Sequence, residues 1–289
     1  MAGCGRVTVL RELCVGGDRL KNVIHLKDTK TTGDIPMFEL LKFQVGNAKL
    51  LLANIRTFSL PSGHSCPSAD ECMSKADRVT GTIVDGIDML FRCFSATDEA
   101  RSTNARNARW HNFDLLRQCQ SLDEMVTLIK LSLPCSYGVI RIHVSGDYYN
   151  QMYFDAWCIV ARDTPNIHFY SYTKSLNYWV NSLDKIQSNL NLTASVGGRQ
   201  DHLIKKHNLK YAQVVFHPSE ADKLGLRIDH DDSLAMYGSE SFALLLHGTQ
   251  PAKSVASKAK SRMQREGIKF SYSRKDKQTV ANNYYLSNR

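Results

Sequence analysis

The feature that most constrains the fold is a regular alternation of short β-branched runs and helical segments in the second half of the chain. Because parallel strands need a crossover of about a dozen residues, this alternation predicts an α/β fold. Parallel strands would alternate with helices, in a partial or distorted TIM-like barrel. The predicted strands are residues 139–144, 167–172, 190–196, 212–216 and 242–247. The predicted helices are residues 150–163, 175–188, 200–208 and 219–224.

The first half of the chain predicts helices and a few short strands. One long helix is expected after Ser95, with Asp98 at the reach-back position of a capping box, and another over residues 122–131. No Pro-, Gly- or Ser-rich linker interrupts residues 20–250, so residues 1–250 are predicted to form one domain. A cysteine-bearing loop is inserted at residues 58–96. The short extended candidates are residues 7–10, 23–26 and 48–52.

Charge is concentrated at the C-terminal end. Residues 251–289 hold ten Lys or Arg against Glu266 and Asp276, while the other 250 residues hold 27 basic and 26 acidic groups. This segment predicts a basic helix and tail that adds little to the core. It is either a solvated surface or a source of salt-sensitive attraction to phosphate. No apolar run approaches the roughly 20 residues of a membrane span, and charges interrupt the place of a signal peptide. A cytosolic protein is expected, in which the eight cysteines stay reduced.

Polar residues follow all five predicted strands. In parallel α/β proteins, ligands bind at these carboxyl ends of the strands. Asp147 and Lys174 are candidate catalytic groups because each can hold or transfer a proton, and His143 lies within the first strand. Two alternatives stay open: a turn or helix cap for Asp147, and a buried imidazole with a backbone partner for His143. The candidate substrate-binding residues are Ser145, Gly146, Thr173, Gly197, Gly198, Arg199, His217 and His247.

Three cysteines lie in the inserted loop. Cys66 and Cys72 have the spacing C-x5-C, and Cys93 follows 21 residues later, next to the predicted helix. Their thiolates suit iron or zinc, although free buried thiols have the same pattern. A four-iron cluster on these residues lacks one cysteine. Its fourth ligand is either His64 or an open position for substrate or S-adenosylmethionine.

Several motifs together resemble the bacteriophage gene-product-88-like family, over about residues 35–250. The matching segments are FSLPSGHSCP at 58–67, Cys72, RCFSA at 92–96, IHVSGDYY at 142–149 and FYSYTKS at 169–175. The resemblance implies a phage protein of the host cytoplasm. It also implies a cysteine-ligated iron–sulfur site beside a radical-SAM-like partial barrel, the latter at the level of the fold only. The C-x3-C-x2-C spacing of radical-SAM enzymes is absent.

Three functions remain open at this point. The first is an iron–sulfur enzyme, with a 4Fe-4S cluster, that acts on a nucleotide or nucleic acid at the strand ends. The second is a non-catalytic phage accessory or nucleic-acid-binding protein in which the cluster is structural. The third is a metal-independent, base-modifying transglycosylase with Asp147 as nucleophile. The chain has no Walker loop, G-x-G-x-x-G, H-E-x-x-H or G-x-S-x-G, which disfavours the NTPase, dinucleotide-binding, zincin and hydrolase classes.

Overall fold

The computed structural model describes residues 23–24, 38–45, 55–135 and 138–268. The extended candidates at 7–10 and 48–52 lie outside the described residues, as does the tail beyond residue 268. Val23–Ile24 is a strand, as the candidate at 23–26 predicts. No helix in the described ranges is long and apolar enough to cross a bilayer.

The strands form one large sheet and two small two-stranded ones. They are β1 (Val23–Ile24), β2 (Phe38–Glu39), β3 (Gln44–Val45), β4 (Ile55–Phe58), β5 (Ser74–Ala76), β6 (Ile83–Asp85), β7 (Val139–Ile142), β8 (His168–Thr173), β9 (Leu190–Ser195), β10 (Tyr211–Val215), β11 (Arg227–Ile228) and β12 (Phe242–Leu245). The large sheet has the order β11-β12-β10-β9-β8-β7-β4-β3. All its pairs are parallel except β3 with β4. The predicted α/β class with parallel strands is confirmed, but the described strands do not close into a barrel.

Helices connect the parallel strands as the alternation predicts. They are α1 (Phe94–Arg101), α2 (Thr103–Gln118), α3 (Leu122–Ser132), α4 (Gln151–Asp163), α5 (Leu176–Val180), α6 (His202–Lys206), α7 (Pro218–Leu224), α8 (Ser233–Tyr237) and α9 (Val255–Arg265), with a 3-10 turn at Leu183–Lys185. The predicted single helix after Ser95 is in fact two helices. Ser102 has an extended backbone and its side chain accepts a hydrogen bond from Ala105 N, so it caps a new helix instead of continuing the first.

The two faces of the sheet differ in polarity. On one face Ile140, Ile142 and Phe169 pack with Trp157 of α4 and Ile129 of α3 in the main hydrophobic core. The other face carries Arg141 of β7, Tyr170 and Tyr172 of β8, and Asn191 and Thr193 of β9, and the strand register places Arg141 beside Tyr170, which lies beside Asn191. Parallel strands are usually apolar on both faces. This face is therefore unusually polar for a parallel sheet.

Two further packing contacts position the site. Ala235 and Met236 of α8 pack on Tyr170 and Phe242, on the polar face of the sheet. Helix α9 buries Ala256 and Met263 against a cluster of β10 and β12 residues. The described part of the basic C-terminal segment thus packs on the body of the protein through the buried Ala256 and Met263, with Ala259 and Ile268 partly buried beside them.

Candidate cysteine-lined site

A cavity of about 170 Å³ lies at the carboxyl ends of the central strands, on the polar face of the sheet. The residues that line it come from the ends of β7, β8, β9, β10 and β12 and from the cysteine-bearing insertion. Ten of the residues singled out from the sequence are among them: Cys66, Cys72, Cys93, His143, Ser145, Gly146, Asp147, Thr173, Lys174 and His247. The structure thus brings the predicted cysteines and most of the predicted strand-end residues into one place.

The three cysteines lie close enough to influence one another electrostatically. Burial is the main cause that raises the pKa of each thiol, and it raises the pKa of Cys72 to about 12. For Cys66 the next causes are the carboxylate of Asp147 and then the other two cysteines, whereas Lys174 lowers the pKa of Cys72. Three thiolates cannot coexist here without added positive charge, because each raises the free energy of the others.

Backbone amides face two of the sulfur atoms. Gly63 N donates a hydrogen bond to Cys66 Sγ at 3.3 Å. Cys93 is the N-cap residue of α1, and the nearby amides of Ser95 and Ala96 lower its pKa, opposing the effect of burial. Amide donors and a helix N-terminus stabilise negative charge on sulfur.

The predicted substrate residues at 197–199 hold the cysteine loop instead of lining the cavity. Ala69 pairs with Gly198 in an isolated β-bridge, and Glu71 N donates to Gly197 O at 3.1 Å. Arg199 N donates to Ser68 O at 3.0 Å. These bonds all fall between Cys66 and Cys72, so the end of β9 fixes the loop that carries both cysteines.

Asp147 ties the end of β7 to the end of β8. Its carboxylate accepts hydrogen bonds from Tyr148 N at 2.7 Å, Thr173 Oγ1 at 2.6 Å and Lys174 N at 2.8 Å. Burial raises the pKa of Asp147 to about 6, and these three bonds oppose that effect. Lys174 in turn reaches β9, where its Nζ donates to Ser195 O at 3.0 Å and to Val196 O. Asp147 therefore combines a turn-forming role with a place beside Cys66.

His143 is held in a strained position at the end of β7. Its φ of 66° lies in the left-handed region, which is unusual for a residue other than glycine. His143 Nε2 and Tyr153 Oη are 2.9 Å apart, while Nδ1 has no hydrogen-bond partner among the described residues. Burial lowers the pKa of His143 to about 3. The imidazole is therefore neutral at physiological pH, with one nitrogen left for a ligand.

This burial gives a pH prediction. We expect the ring signals of His143 in an NMR titration to show no inflection between pH 5 and 8, because the charged form is excluded until about pH 3. The His143 ring signal is assigned by its absence from the spectrum of the His143→Gln variant. An inflection of the His143 signal within that range would contradict the assignment of a neutral, desolvated ring.

Gly146 allows the close approach of the cysteine loop. Its φ is 83°, and a Cβ there would lie 2.5 Å from Ser65 Oγ and 2.6 Å from Leu60 Cβ. We expect Gly146→Ala to lower the free energy of unfolding by about 3 kcal/mol, combining left-handed strain with overpacking. Gly225→Ala is the matched control, since Gly225 has a φ of 65° and open space around it, and it should cost about 1 kcal/mol. Urea unfolding measures both variants. If Gly146→Ala and Gly225→Ala lose the same free energy of unfolding, the cysteine-bearing loop does not pack tightly on Gly146.

Two predicted site residues lie away from the cavity. His64 is exposed, its Nε2 lies 3.0 Å from Ala76 O, and its ring packs on Trp110 at 4.9 Å. His217 is the N-cap residue of α7 and pairs with Glu266 at 2.7 Å. Neither residue lines the cavity with the cysteines.

The structure adds charged residues that the sequence reading missed. Arg141 and Asp232 line the cavity and form a buried ion pair of 2.7 Å, and Tyr170 Oη donates to the same carboxylate oxygen at 3.1 Å. Arg141 also lies over the ring of Tyr172 at 5.0 Å. A charged residue inside the β-branched run at 139–144 was the available signal. Its partner Asp232 lies 91 residues further along the chain, and no sequence pattern around Asp232 indicated the pairing.

The arrangement does not match the ligand shell of a single metal ion. Within the described ranges, no three His, Cys, Asp or Glu side chains are close enough together to hold one ion. A four-iron cube makes a different demand, because each cysteine binds a different iron and the sulfur atoms stand farther apart.

The fold and cavity define a class: an α/β protein with three cysteines at the carboxyl ends of parallel strands. The family model described as Gene product 88 matches residues 27–266, and the chain belongs to that family. It is similar to the Gene 88 protein of Mycobacterium phage L5, with 28% identity over 139 residues, which are 45% of this chain and 51% of that protein. For the Gene 88 protein of Mycobacterium phage D29 the identity is 27%, over 45% of this chain and 50% of that protein.

The chain thus spans about half the length of the curated relatives it matches. No solved structure matches the chain. The comparisons support a phage protein of the gene 88 family and carry no statement of reaction or cofactor.

Proposed function

We propose that this protein is an iron–sulfur enzyme in which Cys66, Cys72 and Cys93 hold a 4Fe-4S cluster at the edge of the cavity. Its substrate would be a nucleotide or a nucleic acid that enters the cavity at the strand ends. The observation that carries the proposal is the convergence of these three cysteines, from separate positions in the insertion, on the cavity that Asp147 and Lys174 also line.

The chemistry of the donor set fits such a cluster. Three thiols with raised pKa values interact with one another, and amides from Gly63, Ser95 and Ala96 face two of them. Iron supplies the positive charge that three thiolates in a buried place require, and amide donors to sulfur are the usual way in which a protein tunes a cluster. When bound, a cluster of this kind supplies electron transfer or an iron that coordinates a ligand.

The fourth ligand would come from the cavity side. His64 Nε2 donates a hydrogen bond to Ala76 O and does not line the cavity. We therefore favour an open coordination position that faces the cavity, where a substrate or S-adenosylmethionine could bind. A partial barrel of radical-SAM type remains part of this proposal at the level of the fold.

The residues around the cavity would orient a polar ligand. Neutral His143 offers Nδ1 as one hydrogen-bonding group, and Ser145 lies two residues further along the same strand end. Arg141 and Asp232 offer donors and acceptors at the polar face of the sheet. We do not favour Asp147 as the nucleophile of a transglycosylase, because both of its oxygens already accept hydrogen bonds.

A location in the host cytoplasm is consistent with this proposal, because reduced thiols persist there. The alternative is a phage accessory protein in which the cluster is structural. The basic helix α9 favours contact with nucleic acid in either case.

The experiment is anaerobic purification followed by visible spectroscopy and analysis of iron and acid-labile sulfide. We expect a brown protein with equal amounts of iron and sulfide, and a spectrum that changes on reduction. Addition of S-adenosylmethionine or a nucleotide to the reduced protein should then alter its electron paramagnetic resonance signal if the open position faces the cavity. A colourless protein after anaerobic reconstitution would contradict the proposal.

A further inference from the structure

The turn at residues 247–250 holds two cations side by side. Arg101, the last residue of α1, donates from Nη2 to Thr249 Oγ1 at 2.7 Å. Lys260 of α9 donates from Nζ to the carbonyl oxygen of Gly248, the preceding residue. Two helices that are far apart in sequence therefore bring their positive groups to adjacent residues of one turn.

Within the described ranges, neither of these two cations has a carboxylate partner. Neither Arg101 nor Lys260 belongs to an ion pair in the described part of the chain. Burial, and next the charge of Arg101, lower the pKa of Lys260. Like charges held together are unfavourable by themselves, and a bound anion turns this repulsion into attraction to both groups.

The same turn forms part of the cavity wall. His247 lines the cavity, and its ring packs on Phe94 at 4.7 Å. Gln250 accepts a hydrogen bond from Arg92 N at 2.8 Å and donates one to Arg92 O at 3.2 Å. The turn thus contacts the residues on either side of Cys93. An anion bound at Gly248 and Thr249 would therefore lie next to the cavity wall.

The surface that continues from this turn is basic. Residues 251–268 hold five Lys or Arg, at positions 253, 258, 260, 262 and 265, against Glu266, a net charge of +4. Glu266 is already paired with His217 and Arg262. Lys253, Lys258 and Arg265 are exposed. This charge distribution suits a ligand that carries phosphate groups, and a longer chain of phosphates more than a single one.

We propose that Arg101, Lys260 and the hydroxyl of Thr249 bind a phosphate group of a nucleotide or nucleic-acid strand whose neighbouring part enters the cavity. Arg supplies a fork of N–H donors and Lys a point charge, the two usual ways in which proteins hold phosphate. This inference rests on the proposed function for the identity of the ligand in the cavity. It does not need the cluster for the binding of phosphate.

The test is a binding assay with the full chain and a short, fluorescein-labelled single-stranded oligonucleotide at low salt. We expect Arg101→Gln and Lys260→Gln each to weaken binding by about fivefold, and to reduce the slope of log K against log salt by about 1. Lys206→Gln is the matched control. It removes the same charge from α6, a helix that packs on the main core through Leu203 and Ile204 and not on the cluster that holds α9.

Competition with inorganic phosphate and with a nucleoside monophosphate distinguishes the source of the phosphate. If the monophosphate displaces the oligonucleotide from the native protein, and does so less well from the Lys260→Gln variant, the ligand is a free nucleotide. If only an unlabelled strand displaces it, the ligand is a nucleic acid. Loss of binding by Lys206→Gln equal to that of the two site variants would overturn the inference, as would absence of binding to all the probes.

A cysteine variant separates this inference from the proposed function. Cys66→Ser should bind the labelled oligonucleotide through the Arg101 and Lys260 site even though it holds no iron. Native protein that takes up no iron on anaerobic reconstitution but still binds through this site would contradict only the proposed cluster. If the iron-loaded protein binds the oligonucleotide equally well with and without the Arg101→Gln and Lys260→Gln substitutions, only the phosphate site is contradicted.

Discussion

Serine in place of Cys66, Cys72 or Cys93 is expected to reduce the iron content and visible absorbance of anaerobically purified protein to near background. Each cysteine lines the same cavity and would bind a separate iron, so the loss of one thiolate leaves one corner of the cube without its protein ligand. The measurement is iron per chain, determined together with the circular dichroism spectrum to show that the variant is folded.

The chain offers cysteines outside the cavity as controls. Cys119 donates a weak hydrogen bond to Leu115 O at 3.6 Å, and Cys158 is buried in the main core. Cys119→Ser and Cys158→Ala should keep their iron, although the second will lose some stability because it leaves a small void. Retention of full iron by any of the three cavity variants would exclude that cysteine from the ligand set.

Arg109→Met is expected to lower the free energy of unfolding by about 3–5 kcal/mol, because it leaves the carboxylate of Glu99 buried without its cation. The Glu99 side chain is 0% exposed, and Arg109 Nη1 lies 2.9 Å from its Oε1. The same oxygen accepts from Ser62 N at 2.8 Å and from Ser145 Oγ at 3.0 Å. This carboxylate therefore joins α1, the cysteine insertion and the end of β7.

An exposed ion pair provides the comparison. Arg227 and Glu240 are 2.6 Å apart, but the Arg227 side chain is 73% exposed. Arg227→Met should cost less than about 1 kcal/mol, since solvent screens that pair. Urea unfolding of both variants, each prepared without iron, measures the difference. A loss of stability in Arg109→Met as small as that in Arg227→Met would contradict a role for Arg109 in holding the buried carboxylate of Glu99.

The strands and crossover helices of the second half were predictable because their patterns are local. The β-branched runs at 139–144 and 190–196 correspond to β7 and β9, and the helical spacing at 150–163 to α4. The break at Ser102 was not predicted, because a serine within a helical pattern is compatible with either an exposed helix position or a cap. The predicted barrel is not confirmed, because closure depends on contacts between distant strands that no local pattern encodes.

The candidate site was predictable in part for the same reason. Strand ends of a parallel sheet meet at one edge, so Asp147, Thr173, Lys174 and His247 line the same cavity. Arg199 and His217 also follow strands, but neither lines the cavity. The backbone of Arg199 bonds to the cysteine-bearing loop, and the side chain of His217 caps α7. His64 lies two residues before Cys66, but the turn at Gly63, with a φ of 69°, separates the imidazole from the cavity. Proximity in sequence does not fix the direction of a side chain.

The most direct test of the central claim is a crystal structure of anaerobically purified protein with an anomalous difference map at the iron edge. The account predicts a strong iron peak beside the cavity, with the sulfur atoms of Cys66, Cys72 and Cys93 each about 2.3 Å from an iron, the usual length of a metal–thiolate bond. Density for three unliganded thiols, or for a disulfide between two of them, in protein reconstituted with iron and sulfide would contradict it.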